Sequence, residues 1–558
     1  MSEETVPPTL PEITPELIDA FDTLSGRRPT TNEQRQLMLE SLMKLREQMT
    51  TIRLHPQATG ESAIRFTLGG APHLIKEMTP EIRPALSRTL PDAPPENLEE
   101  LAFTPVTVLS QWIRSRRISS VALTKMYLER LKRLGPGLHC LVTLTEERAL
   151  MEAARADSEL ESGIYHGYLH GIPYGVKDNY AALGYATTVG AEPYREQYIP
   201  YDAAAVERLT AAGAVLCAKL SMGELAMGDT WFGGLTRNPW DIEKGSSGSS
   251  AGSGSSVAAG LLPFALGTET LGSIISPSKV CGTVGLRPTF GRISRYGIVP
   301  LTPSMDKPGP ICRSVEDAAL IFSVLNGPDS RDSVTLPGAP FHWDPHRDLS
   351  DLRIGIDETS FRLLRESDEH KELISVYDQA MEVIGSLSGV RTLVPVTLPE
   401  RHPAFDSLAW LTIIAEGAAT FARLYDAGGF DRLAQQGKEN WPNLLRIGAM
   451  IPAADYLQAQ QLRAHLQRQM AIALTDVDVY ITAPWFGRSL AYTNLCGQPE
   501  VITRCGRTEG GLPVSLSFVG NLYGEEAILR VAQAFDQATE WNRIWPHGHK
   551  GTGGGEIV

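Results

Sequence analysis

Residues 245–256 read GSSGSSAGSGSS, eleven Gly or Ser in twelve positions. A run this poor in side chains constrains a chain strongly. It is either a solvated connector, because Gly and Ser gain little by packing and lose much entropy on ordering, or backbone that must pass close to something. A connector would separate two independent units and carry polar flanks. Here the run continues without a break into VAAGLLPFALGTETLGSI, an apolar stretch that opens as a helix and ends in a second Gly/Ser/Thr cluster at 267–273. Two small-residue loops joined by a buried element fit backbone wrapped around a ligand, with main-chain N–H groups and hydroxyls facing it.

Three chemistries use such loops. A phosphate cradle of the GxxxxGK[ST] type needs a lysine that neither loop supplies. A GxSxG nucleophile elbow is matched by GSSAG (248–252), with Ser250 in the middle, but an elbow follows an apolar strand and the preceding TRNPWDIEKGSS is polar. The third needs an upstream base. HGIPYGVKDNY (170–180) places Lys177 at the end of an apolar stretch containing Ile172, Tyr174 and Val176. Alone, that lysine reads as a strand end reaching solvent.

Elsewhere helices alternate with short apolar strands, the pattern of an α/β sandwich. SSVALTKMYLERLKRLG reads as a helix. YDAAAVERLTAAGAVLCAKL reads as a helix stopped at Gly213 and feeding a strand, LPVSLSFVG as a strand, and EEAILRVAQAFDQATEW as an amphipathic helix. Near the amino end, TTNEQRQLMLESLMKLREQM predicts a helix with Thr30 and Glu33 at capping-box spacing and a stripe of Met38, Leu42, Leu45 and Met49. The Pro-rich stretch 90–100 reads as a linker, residues 1–12 as frayed, and the Gly-rich end as a flexible tail. The expected organisation is therefore a helical extension and linker over 1–103, a larger α/β domain over 104–545 and a tail over 546–558. The net charge of −14, from 65 acidic and 51 basic side chains, argues against nucleic-acid or anionic-membrane binding. Six cysteines without CxxC spacing, and no Cys/His cluster with zinc spacing, read as reduced buried thiols of a cytoplasmic protein. No apolar run is long enough to span a membrane, and the amino terminus has no signal-peptide pattern.

Lys177, GSSGSSAGS and GTETLGSI, in this order, resemble the amidase signature family. The resemblance extends through TRNPWD, CGTVGLRPTFGRISRYGIVP and SMDKPGPICRSVEDAA to TNLCGQPEV and GLPVSLSFVG, over about residues 104–545. It implies an α/β/α sandwich with a central mixed, twisted sheet covered by helices. It also implies a Ser–cisSer–Lys triad: Ser273 as nucleophile, Ser249 as the bridging serine and Lys177 as the base. The backbone N–H groups of Thr270, Leu271, Gly272 and Ser273 would hold the oxyanion, and the Ala226 carbonyl would receive the substrate amide N–H. Asp178 and Asn179 would fix the lysine loop. Leu271 stands where the family usually has Gly, Ile275 where it has Arg, and Glu269 where it has Asp, while Ser247 and Ala251 replace glycines. No metal, nucleotide or other cofactor is implied, and the twelve histidines are bystanders.

The function so implied is an amidohydrolase cleaving C–N bonds of amides, with carbamates or esters as further substrates, through a Ser273 acyl-enzyme. The alternative is the glutaminase-type component of an amidotransferase complex, which passes ammonia to a partner. Such components ordinarily lack a long helical extension, which ranks this second. The expected partner is a small-molecule amide or carbamate, with no nucleic acid and no membrane, and the Met/Leu stripe at 38–49 suits a homodimer. Specificity is expected from 329–490 and the extension, including WLTIIAEGAATFARLYD (410–426), itself read first as a core helix.

Overall fold

The computed structural model describes residues 12–55, 86–87, 93–335 and 341–546. Residues 1–11 of the start, the tail from 547 and part of the 90–100 linker lie outside the described residues. Contacts divide the chain into two compact units: Met1–Ala63 with His402–Leu462, and Ile64–Arg401 with Arg463–Val558.

In the first unit, helix Asn32–Leu54 packs on helices Pro403–Thr420 and Trp441–Gly448. Its capping box lies one residue later than the spacing of Thr30 and Glu33 suggested. Thr31 accepts from the Gln34 backbone N–H, and the Gln34 side chain accepts from Thr31 N–H at 3.0 Å. Thr30 instead bonds the buried Asp22 carboxylate through its backbone N–H and its hydroxyl. Adjacent threonines offer the same cap chemistry, and a tertiary partner for one of them selects the other. Met38, Leu42 and Leu45 are buried, as are Leu408, Leu411, Ile413 and Ile414 of the facing helix, so the stripe is core.

The second unit is built on an eleven-stranded mixed sheet flanked by helices. Its strands are β1 (Leu141–Leu144), β2 (Pro173–Lys177), β3 (Val215–Leu220), β4 (Phe264–Glu269), β5 (Val284–Arg287), β6 (Lys307–Cys312), β7 (Ile354–Ile356), β8 (Val394–Pro395), β9 (Val479–Thr482), β10 (Glu500–Arg507) and β11 (Pro513–Gly520). The spatial order is β1-β3-β2-β4-β6-β5-β10-β11-β9-β7-β8. β3, β2 and β4 run parallel, with Tyr174 opposite Phe264 and Val176 opposite Leu266. The connections through helices Ala204–Ala211 and Ala251–Ala258 make this arrangement. Gly213, at φ +78, turns the chain from the first of these helices into β3. All five residues of β2 and all six of β4 are buried, the pattern of strands covered on both faces.

The Gly/Ser run is no connector. Residues 251–258 form a helix whose every residue is buried, and small side chains let it approach the sheet. A Cβ on Gly252 would lie 2.5 Å from the Cys140 carbonyl oxygen and the Ser221 nitrogen.

Candidate active site

The parallel register decides where the chemistry gathers. β2 ends at Lys177 and the neighbouring β4 ends at Glu269, so the lysine and the 270–273 loop emerge at the same carboxyl edge of the sheet. Lys177 is fully buried. Its Nζ lies 2.8 Å from Ser249 Oγ, 2.9 Å from Thr268 Oγ1 and 3.2 Å from the Thr268 carbonyl oxygen. Burial pushes the amine down from 10.5 to about 7, against the attraction of Asp306 and Glu269 for the ammonium. Near neutrality such a lysine can give or take a proton.

Ser249 is buried, its peptide bond to Gly248 is cis, and its carbonyl accepts from Gly223 N–H at 3.2 Å. Ser273 lies where the 270–273 loop enters helix Ile275–Cys281. Its carbonyl accepts from Ser250 N–H at 3.2 Å, while its hydroxyl makes no hydrogen bond among the described residues. Four successive backbone N–H groups, those of Thr270, Leu271, Gly272 and Ser273, likewise have no acceptor among the described residues. Unpaired main-chain donors in a buried loop are rare, and four in a row leave this loop able to donate hydrogen bonds to an incoming oxygen. Gly272 holds φ +90, and a Cβ there would meet the Trp485 ring at 3.1 Å.

Both ends of this loop are pinned by buried carboxylates. Asp306 accepts from the Thr270 hydroxyl at 2.5 Å and from the Leu301 and Thr302 N–H groups at 2.8 and 3.0 Å. Glu269 accepts from Ile274 and Ile275 N–H through one oxygen, at 2.8 and 2.9 Å. Its other oxygen takes Arg287 at 2.7 Å and Asn494 at 2.8 Å. Burial raises the Glu269 carboxyl, but Arg287 and the backbone donors more than offset this and hold it below its ordinary value. Arg287 also pairs with Glu500 at 3.1 Å. A guanidinium from β5 thus stands against Glu269, with Ile275 at the position where the family usually carries Arg.

Other residues singled out by sequence fall around this centre. Ser250, the middle of GSSAG, is locked to the backbone of Thr268, accepting its N–H and donating to its carbonyl, both at 3.2 Å. Ser253 donates to the Leu266 carbonyl at 2.9 Å. Asp178 pairs with buried Lys219 at 2.9 Å and accepts from Thr188, and Asn179 donates to Thr268 Oγ1 at 3.2 Å. Ala226 holds φ +70, and its carbonyl accepts no hydrogen bond among the described residues. A cavity of about 190 Å³ opens beside Thr268 and Asn179, walled by Arg295, Asp306 and Lys307. All six cysteines are buried free thiols.

Sequence reasoning missed Thr268 as a double partner of Lys177, and it missed Arg287 and Asn494 as anchors of Glu269, with Glu500 as the second partner of Arg287. A usable signal was present. Opposite charges inside the apolar strands TVGLRPT and QPEVITRC have to find each other once both are buried.

The family profile described as Amidase matches residues 122–488. The chain belongs to the amidase signature family. It is an enzyme of amide C–N bonds. It is 34% identical over 487 residues to the A-type component of the glutamyl-tRNA(Gln) amidotransferase of Dechloromonas aromatica, covering 79% of this chain and 98% of that one. It is 32% identical to the corresponding component from Thermosynechococcus vestitus, covering 78% and 98%. The native peptide amidase of Stenotrophomonas maltophilia superposes with a TM-score of 0.70 at 30% identity, covering 79% of this chain and 98% of that one.

These relatives correct the expectation about partners. A small-molecule amide or carbamate alone, or a second copy of the chain, was expected. Proteins aligned over almost their whole length are instead amidotransferase subunits by name, so association with other proteins is the pattern among them. No helix of the described residues is long and apolar enough to cross a membrane.

Proposed function

We propose that this chain cleaves amides by acyl transfer to Ser273, with Ser249 and Lys177 as a proton relay. The observation that carries this is the buried Lys177 amine, held near pH 7 and 2.8 Å from Ser249 Oγ at the edge where Ser273 emerges. Neutral Lys177 takes the Ser249 proton as Ser249 takes that of Ser273. The Ser273 oxygen adds to the amide carbonyl, and the oxyanion meets the N–H groups of residues 270–273. The relay then returns the proton to the departing nitrogen, the C–N bond breaks, and an ester on Ser273 remains. Water activated by the same relay releases the acid. The Ala226 carbonyl, with no donor of its own among the described residues, suits the substrate amide N–H.

Within this chemistry the relatives favour a glutaminase-type component that frees ammonia for a partner. They match at 31–34% identity and almost full length. A stand-alone amidohydrolase is the second reading, supported by the peptide amidase likeness and by the part of this chain outside the alignments. Labelling with a fluorophosphonate tests the site. Wild type should label, Ser273→Ala should not, and Ser249→Ala and Lys177→Ala should label much more slowly. Persistent labelling of Ser273→Ala would sink the assignment. Ammonia release by the chain purified alone, from glutamine and from peptide amides, separates the two readings. Turnover of peptide amides without a partner favours the stand-alone enzyme, and inertness relieved by an amidotransferase partner favours the glutaminase-type component.

A further inference from the structure

We propose that Glu159, His166 and His170 form a binding site for one divalent first-row transition-metal ion, of the zinc or cobalt class. The three residues lie apart from the Ser273 centre. Glu159 is on helix Glu146–Glu161, and both histidines are on the loop that carries the chain from that helix into β2. Their candidate ligand atoms all fall within 4.8 Å of one another. His166 Nε2 is 3.1 Å from Glu159 Oε2, and the two imidazole rings stack with centroids 5.3 Å apart.

The hydrogen bonding of His170 decides its role. Its ring is buried, and its Nε2 is 2.8 Å from the Ala156 carbonyl oxygen. A carbonyl only accepts, so Nε2 carries the proton and Nδ1 carries the lone pair. Among the described residues Nδ1 accepts only from the His166 backbone N–H, at 3.4 Å, close to the limit of a hydrogen bond, so its lone pair is weakly engaged beside the other two side chains. An imidazole whose far nitrogen is tied to a backbone carbonyl is the usual arrangement of a metal-ligating histidine. Gly213 completes the pocket, because a Cβ there would lie 2.8 Å from Nδ1.

Two imidazoles and one carboxylate suit zinc, cobalt, nickel or copper and not magnesium or calcium, which prefer all-oxygen shells. Three protein ligands leave a position for water, and His166 and Glu159 are partly exposed on that side, at 34% and 26%. Without a metal, the Glu159 carboxylate is shared by His166 and, at 3.8 Å, by Arg155. A bound ion would replace these contacts and fasten the loop to the helix, ahead of the strand that ends in Lys177.

The test is a titration of the full chain, without a polyhistidine tag, with cobalt(II) followed by displacement with zinc(II). The expected result is one saturable cobalt per chain with the visible bands of a nitrogen-ligated, low-coordinate ion. Affinity should fall at least about tenfold in His166→Ala and in Glu159→Gln, both of which change partly exposed side chains. Zinc should also slow amide exchange in residues 162–171 in wild type and not in either variant. Absence of saturable cobalt binding, or binding of unchanged affinity in His166→Ala, would overturn the proposal. Fluorophosphonate labelling of Ser273 in the two variants should match wild type, which keeps this outcome separate from that of the Ser273 centre.

Discussion

Replacing Lys177 by Met, an unbranched side chain one atom shorter, removes the relay's base, a fully buried amine. Burial brings this amine from 10.5 to about 7. At about 1.4 kcal/mol per pH unit, holding it as an ammonium in the folded protein costs about 5 kcal/mol. The sign follows from proton counts. The unfolded chain keeps the proton up to about pH 10.5, and the folded chain releases it near 7. Between those values the folded state binds one proton fewer, so its stability rises with pH. Methionine does not titrate there. The stability difference between wild type and Lys177→Met should therefore move by about 2 kcal/mol in favour of wild type from roughly pH 7.5 to pH 9, and be flat below about pH 6. Lys279, also lowered by burial, to about 8, is present in both proteins and cancels. Losing the contacts to Ser249 and Thr268 shifts the whole difference without changing its slope. Urea unfolding of both proteins at several pH values, followed by tryptophan fluorescence, measures it. A difference independent of pH would refute a depressed Lys177, and with it the case for a neutral lysine as base.

Three further expectations come from the same contacts. The rate of fluorophosphonate acylation should rise about tenfold per unit below pH 7 and level off above it, since only neutral Lys177 accepts a proton; a profile flat from about pH 5 would contradict it. Glu269→Ala strips acceptors from Ile274 and Ile275 and leaves Arg287 with Glu500 as its remaining buried ion pair, so chemical denaturation should show a loss of about 3–5 kcal/mol. Gly272→Ala forces a Cβ onto a φ of +90 against Trp485, and kcat should fall far more than KM changes; an unaltered kcat would mean that the 270–273 loop holds no charge in the reaction.

The sequence alone determined the chemistry on offer and its order along the chain. A lysine closing an apolar stretch, two small-residue loops and the helix–strand alternation are local patterns, set by backbone freedom and burial. The strand ending at Lys177 depends on little beyond its own residues, whereas the helix Ala251–Ala258 within the Gly/Ser run, built of weak helix formers, depends on its burial against the sheet. Tertiary structure alone decided which of several equivalent groups were used. Ser250 matches GxSxG by spacing, and what its hydroxyl does instead is set by the end of β4, which takes both its donor and its acceptor. Thr30 and Thr31 are equal caps until Asp22 claims one of them. The anchoring of Glu269 needs Arg287 of β5 and Asn494 together, residues 18 and 225 positions away in the chain. Helices Asn32–Leu54 and Pro403–Thr420 pack together although at least 349 positions separate them in the chain. Such pairings follow from tertiary packing, which short-range patterns do not encode, because a hydrogen bond or ion pair forms between whatever groups the fold brings within reach.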